Sequence, residues 1–282
     1  MDITVNRENN RAYTAMFDEL IQRVFGFSFG PWLERNLWDE RYESYSIIEN
    51  GEMLANLCIY KTDLLVSGQP FHAHQFGAVA TLPEKRGKGL SRALMNHVLE
   101  LYPGTPAFLA ANPSVIDFYP IFEFRQIKTF NPIVDIAVDN LTNSDNKLEL
   151  DDKLVQEMLY RKRIYSNIMD SVNTQSIQIF HLLMEYSDCI YHLPDCNAIV
   201  IARQDGNTLF CADVITEQKI TIGELVRELP FSGVSRIKFG FCPDWLGVDF
   251  AWEQVDSEKE PYFIFGDWNL PEKFRFPAMS ET

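Results

Sequence analysis

The 282-residue chain has little of what membrane, secreted or metal-dependent proteins carry. Its five cysteines, Cys58, Cys189, Cys196, Cys211 and Cys242, are odd in number, and no two stand at C-x-x-C spacing. That argues against a disulfide framework and against a thiolate metal or redox motif. Buried free thiols fit, with a Cys189–Cys196 pair as the alternative. No apolar run approaches the roughly 20 residues of a membrane span. The opening MDITVNRENN is polar and lacks the apolar stretch of a secretion signal. The five histidines show no ligand spacing, so no metal is expected. Basic residues are also few, 25 Lys+Arg against 40 Asp+Glu, for a net charge of -15. Such a field repels nucleic acid and anionic lipid. These shortages together describe a cytoplasmic protein with neither nucleic acid nor membrane as partner.

What is present suffices for more than one core. The chain is 46% hydrophobic, and its length favours two domains. The negative charge is uneven. Residues 1–130 hold 12 Lys+Arg and 15 Asp+Glu, whereas residues 131–282 hold 13 and 25. The acidic second half either attracts a cationic small molecule or only keeps the protein soluble.

The first half reads helix, helix, three strands, helix, strand, helix, strands. AYTAMFDELIQRVFGF places Met16, Leu20, Val24 and Phe27 at helical spacing, with Gly26, Gly30 and Pro31 to end it. A second short helix is expected over residues 31–38. Asn50-Gly51 between two β-prone runs predicts a hairpin. The strand FHAHQFGAVATL follows, then the basic loop PEKRGKG and the helix LSRALMNHVLELY, with Leu90, Leu94, Val98 and Leu101 as its buried stripe. AFLAAN is a short strand, and Pro113 opens the short helix PSVIDFYPIF. The polar run DNLTNSDNK sets a boundary near residue 143, giving domains 1–142 and 143–282.

The chemistry concentrates in VATLPEKRGKGLSRAL, residues 79–94. A helix start carries free N–H groups and about half a positive charge, so a phosphate is stabilised there without a metal. Gly87 and Gly89 allow backbone conformations closed to other residues. Ser91 is small, and Arg86, Lys88 and Arg92 add positive charge. The spacing is neither a Walker loop nor a dinucleotide fingerprint.

This segment resembles the pyrophosphate loop of the GCN5-related N-acetyltransferases (GNAT), [QR]-x-x-G-x-[GA] after V-x-T-x-P. Here Arg86, Gly89 and Ser91 follow Val79, Thr81 and Pro83, with Ser91 departing from the usual Gly or Ala. A later family pattern, A-x-N…F-Y-x-x-x-G-F, is similar to Ala110, Ala111, Asn112, Phe118, Tyr119, Phe122 and Phe124, with Glu123 in place of Gly. The resemblance covers residues 1–138. The segment MLANLCIY…SGQPFHAHQFGAVATLPEKRGKGLSRAL also resembles tandem-domain members related to the mycobacterial Eis proteins. It implies the GNAT fold, an α/β (α+β) arrangement with a mixed, mostly antiparallel sheet flanked by helices.

The resemblance further implies acetyl-CoA as cosubstrate and no metal. Backbone amides of Val79, Ala80 and Thr81 would face the thioester. Residues 86–92, namely Arg86, Gly87, Lys88, Gly89, Leu90, Ser91 and Arg92, would hold the pyrophosphate. Asn112 would meet the pantetheine or the adjacent helix. Tyr119 would protonate the departing thiolate, a role that suits a phenol neutral at pH 7. His74 is a candidate base because histidine titrates near neutrality. However, alternation puts His72 and His74 opposite Ala73, Gln75 and Gly77.

The second half reads helix (151–164), helix (174–186), a hairpin at Asp205-Gly206, a helix with a Thr221–Glu224 capping box, then strands. This order repeats the first half and implies a second, degenerate GNAT-like domain. It lacks the loop, and Glu217 stands where an anion would bind, so no CoA site is expected there. That half could close the substrate channel, shape the acceptor pocket or make a homodimer. The expected reaction is transfer of an acetyl group to the primary amine of a small molecule, with a cationic acceptor as one option. A non-catalytic acyl-CoA-binding module and a protein N-terminal or lysine acetyltransferase are the alternatives.

Overall fold

The computed structural model describes residues 2–140 and 146–282; the expected boundary at residue 143 lies outside them. The elements are β1 (Thr4–Asn6), α1 (Arg11–Phe25), α2 (Gly30–Glu34), β2 (Tyr42–Glu49), β3 (Glu52–Val66), β4 (Gln69–Thr81), α3 (Leu90–Leu101), β5 (Ala107–Ala110), β6 (Arg125–Ile127) and β7 (Phe130–Val138). They continue with β8 (Lys147–Leu148), α4 (Lys153–Arg161), β9 (Met169–Val172), α5 (Gln175–Met184), β10 (Ile190–Leu193), β11 (Ala198–Asp205) and β12 (Thr208–Thr216). The last are α6 (Ile222–Glu228), β13 (Val234–Phe239), β14 (Ala251–Gln254) and β15 (Tyr262–Phe265).

Helix α1 starts where the Asn10 side chain accepts from the Ala12 and Tyr13 N–H groups, and stops at left-handed Gly26. The buried face of the helix is Tyr13, Thr14, Phe17, Leu20 and Ile21, so of the expected stripe only Leu20 is buried; Met16 and Val24 are half-buried and Phe27 lies beyond the helix. Helix α2 is shorter than the expected 31–38. In α3, Leu90, Leu94, Met95 and Val98 are buried, while Leu101 is exposed. The short helix after Pro113 resolves into two 3₁₀ turns, Pro113–Val115 and Tyr119–Phe122. Prolines at their starts remove the donors a continuous helix would use.

Two mixed sheets form. The first has the order β1-β2-β3-β4-β5-β15-β6, with β9 also on β3; the second has β14-β7-β13-β12-β11-β10-β8. The middle of β3 is buried residue after residue, which requires cover on both faces. Helices α1, α2 and α3 supply side chains to that core. The two sheets share a plan. Three antiparallel strands lead to a helix and then to a parallel strand, β2-β3-β4-α3-β5 in one and β10-β11-β12-α6-β13 in the other.

Sheet membership is exchanged across the linker. Strand β15 lies antiparallel to β5, and β7 lies antiparallel to β13. Each parallel strand is thus covered by a strand from the other half of the chain. Helix α5 also joins the halves: the Trp32 indole N–H of α2 donates to the Ser176 carbonyl at 2.8 Å. All five cysteines are buried free thiols, and no described helix is long and apolar enough to cross a membrane.

Candidate functional site

Parallel pairing between β4 and β5 consists of His74↔Ala107 and Gln75↔Phe108. Beyond those pairs the strands part. Strand β4 continues on β3, whereas β5 continues on β15, where Ala110 pairs with Tyr262. A register shift opposite Asn56–Cys58 bends β4, and Ala78 there has φ 46°. The buried Asn56 amide fixes this bulge by donating to the Ala78 carbonyl at 3.0 Å. Between the parted strands lies a cavity of about 1530 Å³.

At one end of the cavity stands the N-terminus of α3. Its cap residue Gly89 is left-handed, with φ 76°, and no side chain caps the helix. The first N–H groups of α3 therefore remain free for a ligand. Arg86, Gly87, Lys88, Gly89, Leu90, Ser91 and Arg92 all line the cavity, joined by Lys85. Ser91 Oγ and Thr81 Oγ1 lie 2.7 Å apart, so the residue that departs from the GNAT loop ties the loop to β4.

Val79, Thr81 and Asn112 also line the cavity. Ala80 does not: its side chain belongs to the core, as strand alternation requires. The Asn112 side-chain amide oxygen accepts from Ser114 N–H at 2.9 Å and from Ser114 Oγ at 2.7 Å, shaping the turn that leads to Tyr119. Tyr119 is packed by Phe118, Phe124 and Phe263, and it lines the cavity. Burial pushes its phenol up to about 12, so it stays protonated at neutral pH.

His74 is not part of this site. It packs edge-on against Tyr102, with ring centroids 4.6 Å apart, on the strand face opposite Gln75. Burial, reinforced by Lys61, pushes it down to about 4. Gln75, on the other face, holds the end of the sequence. With its amide oriented to suit both partners, it donates to the Ser280 carbonyl at 3.0 Å and accepts from Thr282 N–H at 2.8 Å. Thr282 lines the cavity, and its Oγ1 lies 2.7 Å from where a Cβ on Gly77 would stand. The sequence reading missed Thr282 and the α5 residues Ile177 and Phe180, because only the folded chain brings them to β4. Ile177, Phe180 and Thr282 are the second half's contribution to the lining. The acidity of that half is therefore not displayed in the cavity.

The corresponding place in the second sheet is closed. Helix α6 carries its own cap: Thr221 Oγ1 accepts from Glu224 N–H at 3.2 Å, and the Glu224 carboxylate accepts from Thr221 N–H at 2.7 Å. Glu217 pairs with Arg161 at 3.7 Å. Where β12 and β13 part, the C-terminal segment enters, with Ala278 N–H donating to the Gly240 carbonyl at 2.7 Å. Met279 packs with Ala212, Ile199 and Ile201. Among the described residues no group of three or more His, Cys, Asp or Glu could hold a metal.

Residues 7–127 match the family model of the acetyltransferase (GNAT) domain. The chain thus carries a GNAT domain in its N-terminal half, and the loop at the start of α3 belongs to it. Solved structures share the fold of both halves. Eis1 from Mycobacterium abscessus is 17% identical with a TM-score of 0.58, covering 93% of this chain and 73% of that one. A GCN5-related N-acetyltransferase from Anabaena variabilis is 13% identical with a TM-score of 0.54, covering 93% and 72%. Another from Kribbella flavida is 13% identical with a TM-score of 0.52, covering 93% and 71%. No curated protein matches the sequence.

Proposed function

We propose that this protein transfers the acetyl group of acetyl-CoA to the primary amine of a small molecule, by direct attack within a ternary complex. One observation carries this reading: a single cavity joins an uncapped, cation-flanked helix N-terminus to two parted strands and an unionised phenol. Free N–H groups at Gly89–Arg92 suit a pyrophosphate. Unpaired backbone along β4 and β5 suits the amides of a pantetheine arm.

The chemistry then follows. The amine nitrogen attacks the thioester carbonyl carbon, and the C–S bond breaks. The sulfur takes the Tyr119 proton, the new amide loses its extra proton to solvent, and solvent returns a proton to the Tyr119 phenolate. General-acid help of this kind contributes about 100- to 10,000-fold.

Tyr119 separates this reading from a binding module, because a module needs no proton donor beside the parted strands. The apolar wall from α5 favours a small molecule over a protein chain, which would need an open groove. The test is release of free CoA thiol across a panel of primary amines. Acetyl-CoA binding without release on any amine would leave only the binding module. Transfer to peptides alone would move the acceptor to protein.

A further inference from the structure

We infer that the acceptor is a primary amine borne on an apolar, preferably aromatic, body, and not a polycation; this rests on the transferase reading above. The cavity lining has two chemically distinct parts. Its cations, Lys85, Arg86, Lys88 and Arg92, gather at the start of α3. An apolar wall is formed by Ile21, Val24 and Phe25 of α1, by Phe27 and Phe29 of the connection to α2, and by Phe180 of α5. These rings form one surface. Phe27 and Phe29 lie 5.5 Å apart, Phe27 and Phe180 6.2 Å, and Phe29 stacks on Phe180 at 4.7 Å.

The charge pattern excludes the polycation. Asp117, on the turn before Tyr119, is the one side-chain carboxylate among the described lining residues, against the four cations. A polyamine seated against the apolar wall would leave its other ammonium groups there without a side-chain counter-charge, which is costly. The 25 acidic residues of the second half do not help, since that half lines the cavity with Ile177, Phe180 and Thr282. The apolar body, by contrast, has something to cover. Phe25 is 44% exposed and Phe27 39% exposed, large apolar rings left in water at the rim of a cavity. A ligand seated against them removes that surface from solvent.

The experiment separates binding from turnover. Phenethylamine and spermidine are titrated by calorimetry into the protein saturated with CoA, and thiol release from acetyl-CoA is measured with each amine in parallel. Phenethylamine is expected to bind at least tenfold more tightly than spermidine, and Phe27→Ala to weaken it at least fivefold while CoA still binds. Phe27→Leu, which keeps an apolar side chain, should restore part of the loss and guards against a folding defect. Phenethylamine binding with no thiol release would refute the transferase reading but keep the chamber's ligand class. Spermidine binding as tightly as phenethylamine, or an unaltered phenethylamine affinity in Phe27→Ala, would overturn the inference. So would octanoyl-CoA binding more tightly than acetyl-CoA with the gain lost in Phe27→Ala, since the wall would then serve the acyl chain.

Discussion

Replacing Tyr119 with phenylalanine isolates one oxygen atom. The ring lies 5.3 Å from Phe118, 5.6 Å from Phe263 and 6.2 Å from Phe124, centroid to centroid, and all three contacts survive the change. The hydroxyl makes no hydrogen bond within the described residues, so its removal strands no partner. Stability should change by less than about 1 kcal/mol, because the buried ring keeps its packing and no hydrogen-bond partner is lost. Catalysis should respond differently. With its pKa pushed up to about 12 by burial, the phenol is neutral in all but roughly one molecule in 100,000 at pH 7. Loss of the donor should lower kcat at least tenfold, equal to about 1.4 kcal/mol of barrier, and leave acetyl-CoA affinity nearly unaltered. The raised pKa also fixes a pH limit. The donor form persists as pH rises and is lost only as pH approaches 12, so its ionisation should not depress kcat below about pH 10. Steady-state kinetics on an established acceptor, with thermal unfolding alongside, measures both. A Tyr119→Phe protein with wild-type kcat would remove the residue from the mechanism. A variant much less stable than wild type would show that the hydroxyl is structural.

Three further outcomes follow from other places in the fold. Gly89→Glu sets a side chain at φ 76° and a negative charge at the α3 N-terminus, so calorimetry should show CoA affinity reduced at least tenfold. Unchanged affinity would place the anion elsewhere. Glu43 is a second case: burial pushes its carboxyl up, but hydrogen bonds from Lys61, Tyr102, Tyr45 and Arg7 outweigh this and hold it down to about 2. A depressed carboxylate contributes stability that is fully present above its unfolded value near 4.5 and lost as pH falls through 2. Glu43→Gln should therefore destabilise the protein at pH 7, by about 3 kcal/mol, and flatten its acid-unfolding profile between pH 5 and 2; a profile parallel to wild type would contradict this. At Gly240, a Cβ would come within 2.9 Å of Ala278 Cβ and 3.1 Å of the Ala212 carbonyl. Gly240→Ala should cost about 1–3 kcal/mol through overpacking and expose the C-terminal segment to carboxypeptidase, whereas wild-type melting and resistance would show that the segment has room to shift.

The sequence alone determined the local pieces. Helix α1, the Asn50-Gly51 hairpin, the Thr221–Glu224 cap and the 16-residue strand–loop–helix at 79–94 all rest on short-range spacing, and periodicity and turn chemistry act over that range. Alternation along β4 even placed His74 away from Gln75, although only the structure showed that the cavity lies on the Gln75 side. Tertiary structure decided the rest because the deciding contacts are remote in sequence. Phe29 meets Phe180 across 151 residues, and Gln75 meets Thr282 across 207. No local pattern in FHAHQFGAV or in FRFPAMSET announces that pairing. The exchange of β7 and β15 between sheets is likewise invisible to periodicity, since either strand could bury its apolar face on either sheet. Which sheet each joins is settled by the parting of β4 from β5 and of β12 from β13, which leaves one edge of β5 and one of β13 to be paired.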